Sequence, residues 1–433
     1  MEWSIILVLA GSFFILLAIG TPISFAIGIA SLLTIMMSIP VDAAIQVIAQ
    51  KMATGLDSFS LLAIPFFILA GNIMNRGGIA LRLIEFAKVL GGRLPGSLAH
   101  VNVLANMMFG SISGSAVAAA AAVGGTMAPL QKKEGYDPAF SAAVNISSSP
   151  TGLLIPPSNT FIVYSLISGG TSIGALFLAG YIPGILMGLG IMIVAYFFAR
   201  KKGYPIPPKP TFKDVTTKTL DALPSLGLIV VIIGGIIAGI FTATEASAIA
   251  VVYTLILSVF IYKEIAIKEL PKIILDASVT TSIILLLIGT SMGMSWAMAN
   301  ADIPYLISDG LLAISENPIV ILLIINLILL MIGTFMDMTP ALLIFTPIFL
   351  PIVTELGMDP VHFGILMTFN LSIGICTPPV GSTLFVGCSV GGVKIDQVIK
   401  PLLPFYAVLI LTLLLVTFVP QLSLLLPQTL LGY

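Results

Sequence analysis

An all-α polytopic membrane protein is the fold class this sequence predicts, and three observations carry that reading. Hydrophobic residues fill 58% of the 433 positions and charged residues only 9%, with a mean hydropathy of +1.15, whereas soluble globular domains carry about 25% charged residues. Apolar stretches long enough to cross a bilayer, about 17–25 residues, recur along the chain. A six-residue pattern, Gly, three residues, then Pro-Pro, occurs twice inside such stretches, as Gly152 to Pro157 (GLLIPP) and Gly374 to Pro379 (GICTPP), 222 positions apart. Consecutive prolines remove two backbone donors and disfavour helical geometry at the residue before them, while glycine permits unusual dihedrals, so both helices are expected to break there. Irregular backbone at membrane depth survives only inside protein or along an aqueous cavity. Broken helices in corresponding positions of two halves point to a transporter binding site.

The composition also excludes. A net charge of −1 gives no reason to expect nucleic acid, and the basic residues form short clusters rather than one face; the lipid bilayer is the expected surrounding. Cys376 and Cys388 share one apolar segment with no CxxC or Cys/His spacing, so ordinary helix packing accounts for them better than a metal or a disulfide. The first twenty residues are apolar but contain Glu2 and no Lys or Arg; lacking the charged start of a signal peptide, they read as a retained first span.

In chain order, spans are expected at roughly 3 to 20, 22 to 39, 58 to 75, 138 to 168, 171 to 199, 223 to 241, 245 to 262, 276 to 300, 361 to 391 and 401 to 426, about ten crossings. Two further apolar regions, about 95 to 129 and 317 to 354, are too long for one span and carry Gly or Pro in mid-segment, which predicts two re-entrant hairpins. The basic clusters Arg76 to Arg93, Lys132 and Lys133, Arg200 to Lys218, and Lys263 to Lys272 should be cytoplasmic, and this map puts all four on one side. The loop with Asp302, Asp309 and Glu316 falls on the other side, as do both termini. On that count the two hairpins open to opposite faces, so the repeat is inverted. Segments near 40 to 57, 78 to 92 and 303 to 316 alternate apolar and polar residues at helical spacing; they fit either interfacial helices or short buried ones.

The repeat extends beyond the prolines. Gly110 opens GSISGSAV 42 residues before Gly152, and Gly333 opens GTFMDMTP 41 residues before Gly374. Each unit therefore reads as hairpin, short polar loop, broken helix. The first hairpin is built of small residues, which suits close helix packing; alternatively Ser111, Ser113 and Ser115, with exposed carbonyls, offer neutral oxygens to a hard cation. Asn145, Ser147, Ser148 and Ser149 before the first break would complete such a shell, and Gly333, Gly374, Thr377 and Ser382 would form a second. Asp337 is the only charged residue of the second hairpin. A carboxylate at helix centre costs about 2.5–3.5 kcal/mol on the insertion scale, so it should face the interior or water, serving either a transport site or a helix cap. Glu245, next to Thr242 and Thr244, reads as a capping residue. Half-helix N-termini after each Pro-Pro would offer amides to a carboxylate. His100 and His362 are isolated, and no HExxH, GxSxG or P-loop pattern occurs, so no enzyme is expected and an ion gradient is the expected energy source.

The segments GSISGSAVAAAAAVG, KKEGYDPAFSAAVNISSS, GLLIPPSNTFIVY, SIGALFLAGYIPGILMG, GIFTATEASAIAVVY and GTFMDMTPALLIFTPIFLPIVTELGMDPVHFGILMTFNLSIGICTPPVG closely resemble the large transmembrane subunit of tripartite ATP-independent periplasmic (TRAP) transporters, over nearly the whole chain. The resemblance implies an ion-transporter-superfamily elevator fold with two inverted repeats and two re-entrant hairpins in a bacterial inner membrane. It implies sodium-coupled import of an organic acid delivered by a soluble periplasmic substrate-binding protein, beside a separate four-helix small transmembrane subunit. Carried over by motif, one sodium (Na+) site would involve Ser111 or Ser113 with Ser149, Gly152 and Pro157; another would involve Gly333, Gly374 and Thr377. The substrate site would use Ser113 or Ser115, Ser158 and Asp337. Two departures stand out: Ala119 occupies a position that is often Asp in the family, and Ser149-Pro150-Thr151-Gly152-Leu153 replaces the usual Gly-Pro after the serine pair. The implied division is scaffold (1–94 and 223–304), cytoplasmic connector (201–222) and mobile domain (95–200 and 305–433). The rival is a stand-alone sodium/dicarboxylate-type symporter of the same superfamily, which needs no binding protein.

Overall fold

The structure is a computed structural model that describes residues 2–91, 94–204 and 211–433. Arg93, and residues 205–210 of the expected connector, lie outside the described residues. All regular structure among the described residues is helical. Helices α1 (Glu2–Ala18), α2 (Ile23–Met36), α3 (Val41–Leu56), α4 (Ala63–Arg76) and α5 (Ile79–Gly91) precede a hairpin of α6 (Ser97–Ser113) and α7 (Ala116–Lys133). A helix in three pieces follows, α8 (Pro138–Ser148), α9 (Thr151–Leu154) and α10 (Asn159–Ile167), and then the long α11 (Ile173–Lys202). Next come α12 (Phe212–Ile237), α13 (Ala243–Leu255), α14 (Leu270–Asn300) and α15 (Ile303–Ile314). The second hairpin, α16 (Pro318–Phe335) and α17 (Met338–Glu355), leads to the broken pair α18 (Pro360–Gly374) and α19 (Ser382–Gly391), then α20 (Ile395–Phe418) and α21 (Gln421–Leu431).

The order hairpin, broken helix, long helix thus occurs twice, and the loops that make it use the same chemistry. Gly135 and Gly357, 222 residues apart, end α7 and α17 with φ of +79° and +86°. The next amides, Tyr136 and Met358, reach back 2.9 Å to the carbonyls of Gln131 and Val353, the closing bond of a Schellman turn. Asp137 and Asp359 then cap the following helices, accepting from the amides of Ala139 (2.9 Å) and Val361 (2.7 Å), with Pro138 and Pro360 at the first helical position, where the missing N–H costs nothing. Gly-x-Asp-Pro is therefore a stop-and-restart signal, used once before each broken helix.

Four packing features frame the site. Helix α2 lies against α14, and α4 against α13 and α14. Gly71 of α4 lets the first hairpin tip come close: a Cβ there would sit 3.2 Å from the Ser113 carbonyl oxygen. Phe140 stacks on Phe198 with ring centres 4.1 Å apart, and Tyr136 on Tyr204 at 4.2 Å, joining the start of α8 to α11. On the amphipathic α5, the Arg82 guanidinium lies 3.6 Å above the Tyr262 ring and pairs with Asp221 (3.5 Å) and Glu264 (3.8 Å). Glu85 takes Lys218 (2.8 Å) and Lys88. Burial pushes the Glu85 carboxyl up, but hydrogen bonds from Lys218 and Lys88 outweigh it and hold the carboxyl below its ordinary range. These contacts fasten α5 to α12.

The span map needs correction in detail. Among the described residues, eight helical stretches are long and apolar enough to cross a membrane: Phe59–Arg76, Ile173–Lys202, Phe212–Ile237, Ala243–Ile261, Ile267–Asn300, Pro318–Phe335, Met338–Glu355 and Ile395–Phe418. The expected spans 3 to 20 and 22 to 39 are shorter helices, divided at Gly20 (φ +84°) and stopped before Pro40, so that α2 has 14 residues. Such a helix rises only about 21 Å at 1.5 Å per residue. Both arms of the second hairpin meet the length criterion by themselves, because Asp337 alone interrupts their apolar run. The expected span 401 to 426 is two helices parted at Val419-Pro420, and α20 begins at Ile395, its polar first turn having hidden it. Segments 138 to 168 and 361 to 391 break at the prolines as the motif requires, and Glu245 caps as expected, accepting 2.7 Å from the Thr242 amide.

Candidate functional site

The bonds Pro156-Pro157 and Pro378-Pro379 are both cis, and each proline pair turns the chain so that a short helix restarts beyond it. The backbone carbonyl three residues before the first of these prolines stands four before the second, which has no N–H to give it, and so must find another donor. Leu153 receives the Ser158 hydroxyl (2.6 Å), and Ile375 receives the hydroxyl (2.7 Å) and amide (3.1 Å) of Thr383. The same breaks let each hairpin tip approach the unwound strand without side chains between. A Cβ on Gly152 would lie 2.2 Å from the Gly110 carbonyl carbon, and one on Gly374 would lie 2.4 Å from the Gly333 Cα. Glycine is required at both contacts because any other residue would drive backbone into backbone.

Around the first contact the structure gathers Ser111, Ser149 and Gly152. Ser111 and Ser149 are fully buried, their hydroxyls donating to the Met108 and Ile146 carbonyls at 2.9 and 3.1 Å, and the Ser149 carbonyl would sit 3.4 Å from a Cβ on Gly110. Both hydroxyl oxygens keep accepting capacity. The other polar residues expected in that shell turn elsewhere: the Ser147 and Ser148 hydroxyls donate to their own helix at Ala143 and Val144, and the Asn145 amide donates to the Ala120 carbonyl. Pro157 closes the turn. Around the second contact lie Gly333, Gly374 and Thr377, whose amide donates to the Gly374 carbonyl and whose hydroxyl donates to that of Ile373, both at 2.8 Å.

Between the hairpin tips and helices α2, α4 and α14 opens a cavity of about 540 Å³, within the size range of small-molecule sites. Ser113, Gly114 and Ser115 from the first tip, Asp337 and Thr339 from the second, and Asn159 and Thr160 at the start of α10 line it. Ser113 and Ser115 form the tip itself: Gly114 turns left-handed at φ +62°, and the Ser115 hydroxyl caps α7 by accepting from the Ala118 amide at 3.2 Å. Asp337 precedes α17 but makes no side-chain bond to that helix's amides, so the cap reading fails there. It is exposed to the cavity and accepts only from the Ser382 hydroxyl, at 3.3 Å, among the hydrogen bonds of the described residues. Ser158 is placed differently from the substrate-contact role that the resemblance implies. It is fully buried, its hydroxyl holds the Leu153 carbonyl, and its neighbour Asn159 faces the cavity.

Sequence reasoning did not find Asn72, Asn75 and Thr280, which line the opposite wall. The signal was available: two asparagines spaced i, i+3 share a face of an otherwise apolar span. Among the described residues, no lysine, arginine or histidine lines the cavity. Cys376 and Cys388 are free thiols, both buried.

Two helices unwound against hairpin tips, beside a polar opening of solute size, are the working parts of a membrane carrier rather than of an anchor or a scaffold; the chain is a multi-pass membrane transport protein. It belongs to the family described as "Tripartite ATP-independent periplasmic transporter, DctM component", whose model matches residues 10–422. It is 64% identical over 422 residues to YgiK of Salmonella typhimurium, covering 98% of this chain and 97% of that one. It is 38% identical over 418 residues to the sialic acid TRAP transporter large permease protein SiaM of Vibrio cholerae, covering 96% and 97%. In fold it resembles the crystal structure of the Alcanivorax borkumensis YdaH transporter, with a TM-score of 0.63 at 12% identity over 87% of this chain and 88% of the other. Of the two readings of the sequence, the tripartite-transporter component is the one its family membership supports.

Proposed function

We infer that the chain is the sodium-driven permease of an organic-acid importer. One observation carries this: among the described residues, the cavity offers hydroxyls, amides and one carboxylate but no cationic side chain. An anionic solute entering so apolar a protein needs compensating charge, and sodium ions held at the glycine contacts by neutral oxygens would supply it. Ser111, Ser149, Gly152 and Pro157 would serve one ion, with Ser113 at its edge, and Gly333, Gly374 and Thr377 the other. Ser113, Ser115 and Asp337, with Asn159 in the place expected of Ser158, would meet the solute. The name of the Vibrio cholerae relative supports a carboxylate of the sialic acid kind. The resemblance supports the remainder: two inverted repeats, the pair 95–200 and 305–433 moving as an elevator past 1–94 and 223–304, an inner-membrane location with both termini periplasmic, a four-helix small subunit and a periplasmic binding protein that delivers the substrate.

The test is uptake of labelled sialic acid into proteoliposomes holding this chain with its small subunit, with the soluble binding protein added outside. Uptake should need both an inward sodium gradient and the soluble protein. Equal uptake with potassium in place of sodium removes the coupling, and uptake without the soluble protein removes the delivery step.

A further inference from the structure

The wall of the main cavity that faces the hairpin tips changes character along its length, and it does so on two helices at once. On α4, Ile64, Ile68 and Asn72 line the cavity at four-residue intervals, which stacks them on one face, each step about 6 Å along the axis. Arg76 is the next residue of that series. On α14, Ile284 and Thr280 line the cavity at the same interval, and Asp276 is the next. The two helices run antiparallel here, because the last residue of α4 meets the second turn of α14: Arg76 Nη2 donates to Asp276 Oδ2 at 2.7 Å. Both faces therefore pass from apolar to neutral polar to charged toward the same end of the cavity.

Exposure rises in the same direction. Ile64 and Ile68 are 0% and 7% exposed, whereas Asn75 and Thr280 are exposed residues, and the Arg76 and Asp276 side chains are 46% and 45% exposed. The cavity thus opens on the side where the ion pair stands. Among the described residues, the Arg76 side chain has that single acceptor, reached through one nitrogen. A guanidinium carries five N–H donors in a fork that matches a carboxylate, so most of its donors are left to water. An exposed ion pair adds little to stability, and α4 already packs on α14 and α13, so bracing is a weak account of this pair.

Electrostatics supplies a better one. Among the described residues the cavity holds no cationic side chain, so an anionic solute inside it depends on ions at the glycine contacts. Once those ions leave, the anion loses its compensation, and Arg76 is the first cation it meets on this wall. We propose that Arg76 is a carboxylate-binding exit site, one helical turn outside Asn72 and Thr280, which takes the organic acid from the cavity and passes it to water. Asp276 competes for the same guanidinium, so the anion is not retained. This rests on the organic-acid reading above and names the place where that acid departs; the basic cluster that begins at Arg76 marks this end as cytoplasmic.

The test uses proteoliposomes holding the chain with its small subunit, fed with labelled sialic acid by the soluble binding protein outside, so that only carriers with their delivery face outward are counted. Unlabelled sialic acid inside then meets the exit face of those carriers. The internal concentration that halves the initial uptake rate measures how tightly that face holds the acid. Arg76→Gln should raise this midpoint and Asp276→Asn should lower it, each by about threefold, the size of effect that a half-exposed ion pair carries. An Arg76→Gln midpoint at the wild-type value overturns the exit site, and an Asp276→Asn midpoint at that value overturns the competition. A mere brace predicts that both variants move in the same direction with a common fall in unfolding temperature, and that result overturns the proposal too. So does a wild-type carrier whose uptake ignores the internal acid. A wild-type carrier that takes up no sialic acid at all, with sodium and the binding protein present, instead defeats the reading on which the exit site rests, and is seen before any variant is made.

Discussion

At Leu153 the carbonyl freed by the first proline pair is held by one hydroxyl, that of Ser158; at Ile375, its counterpart 222 residues on, the carbonyl is held by both the hydroxyl and the amide of Thr383. The difference decides which side chain is left for the cavity. In the first unit the residue after Pro-Pro is consumed by the backbone, and Asn159 faces the solute space. In the second, the donor comes from deeper in α19, which leaves Ser382 to meet Asp337. One backbone problem, met at two different positions, thus leaves Asn159 to the cavity in the first unit and Ser382 to Asp337 in the second. The glycine contacts are the part that does not vary, so they are where a comparison of the two halves should bite hardest.

Gly152→Ala and Gly374→Ala should have the largest effects of any single-methyl change. Each Cβ would meet backbone atoms at 2.2 or 2.4 Å, so the hairpin tip must retreat, and overpacking of this kind costs about 1–3 kcal/mol. Uptake should fall to background in both, with the unfolding temperature lowered in both. Loss in one variant and normal uptake in the other would break the equivalence and leave a single working contact.

Asp337 comes next, and it tests the asymmetry. Because the residue is exposed and, among the described residues, bonded only to Ser382, Asp337→Asn should leave thermal stability unchanged while cutting uptake by about tenfold, roughly 1.4 kcal/mol of lost transition-state stabilisation. Ser113→Ala and Ser115→Ala on the neutral tip should each cost less. If the serine variants lose more uptake than the aspartate variant, the first unit rather than the second selects the solute.

The asparagine rungs separate the halves by stability. The Asn106 amide nitrogen stands within bonding distance of acceptors on three residues, Asn102, Asn145 and Ser148, two of which its two hydrogens can serve at once, whereas Asn370 serves two oxygens of a single residue, Asn326. Each buried group left without its partner costs about 1–3 kcal/mol, so Asn106→Ala should lower the unfolding temperature more than Asn370→Ala. Equal shifts would mean that the two asparagine rungs leave equivalent groups unpaired.

Much of this was legible in the sequence because backbone constraints are written in residue identity. Pro-Pro with its Gly located both breaks, and Gly110 and Gly333 marked both tips before any contact was known. The Gly-x-Asp-Pro signals at Gly135 and Gly357 went unread in the sequence and emerged only from the structure, as a left-handed helix stop followed by a cap and a first-turn proline. What the sequence could not supply was direction. Ser147, Ser148 and Ser149 are adjacent and chemically alike, all three hydroxyls donate to carbonyls of α8, and only packing decides that the Ser149 carbonyl is the one beside Gly110. Asn72 and Asn75 belong to a helix distant in sequence from both motifs, so only the tertiary arrangement brings them to the cavity. The second helix was overcounted as a span because hydropathy ignores how early a stop before Pro40 ends a helix.

The smallest expected effect returns to the two freed carbonyls. Ser158→Ala removes the side-chain donor to Leu153 and should cost about 1 kcal/mol, the usual net worth of one hydrogen bond. Thr383→Val keeps the amide at 3.1 Å from the Ile375 carbonyl and preserves side-chain shape, so it should cost only a fraction of that. Neither residue lines the cavity, and uptake per folded molecule should stay near the wild-type rate in both. The informative result is a split between stability and transport. If Ser158→Ala loses uptake as severely as Asp337→Asn while its unfolding temperature barely moves, then the hydroxyl must leave Leu153 during the transport cycle and turn to the solute. The first unit would then gain a second solute contact in its working state, and the neutral half would take part in recognition on the same footing as the charged one.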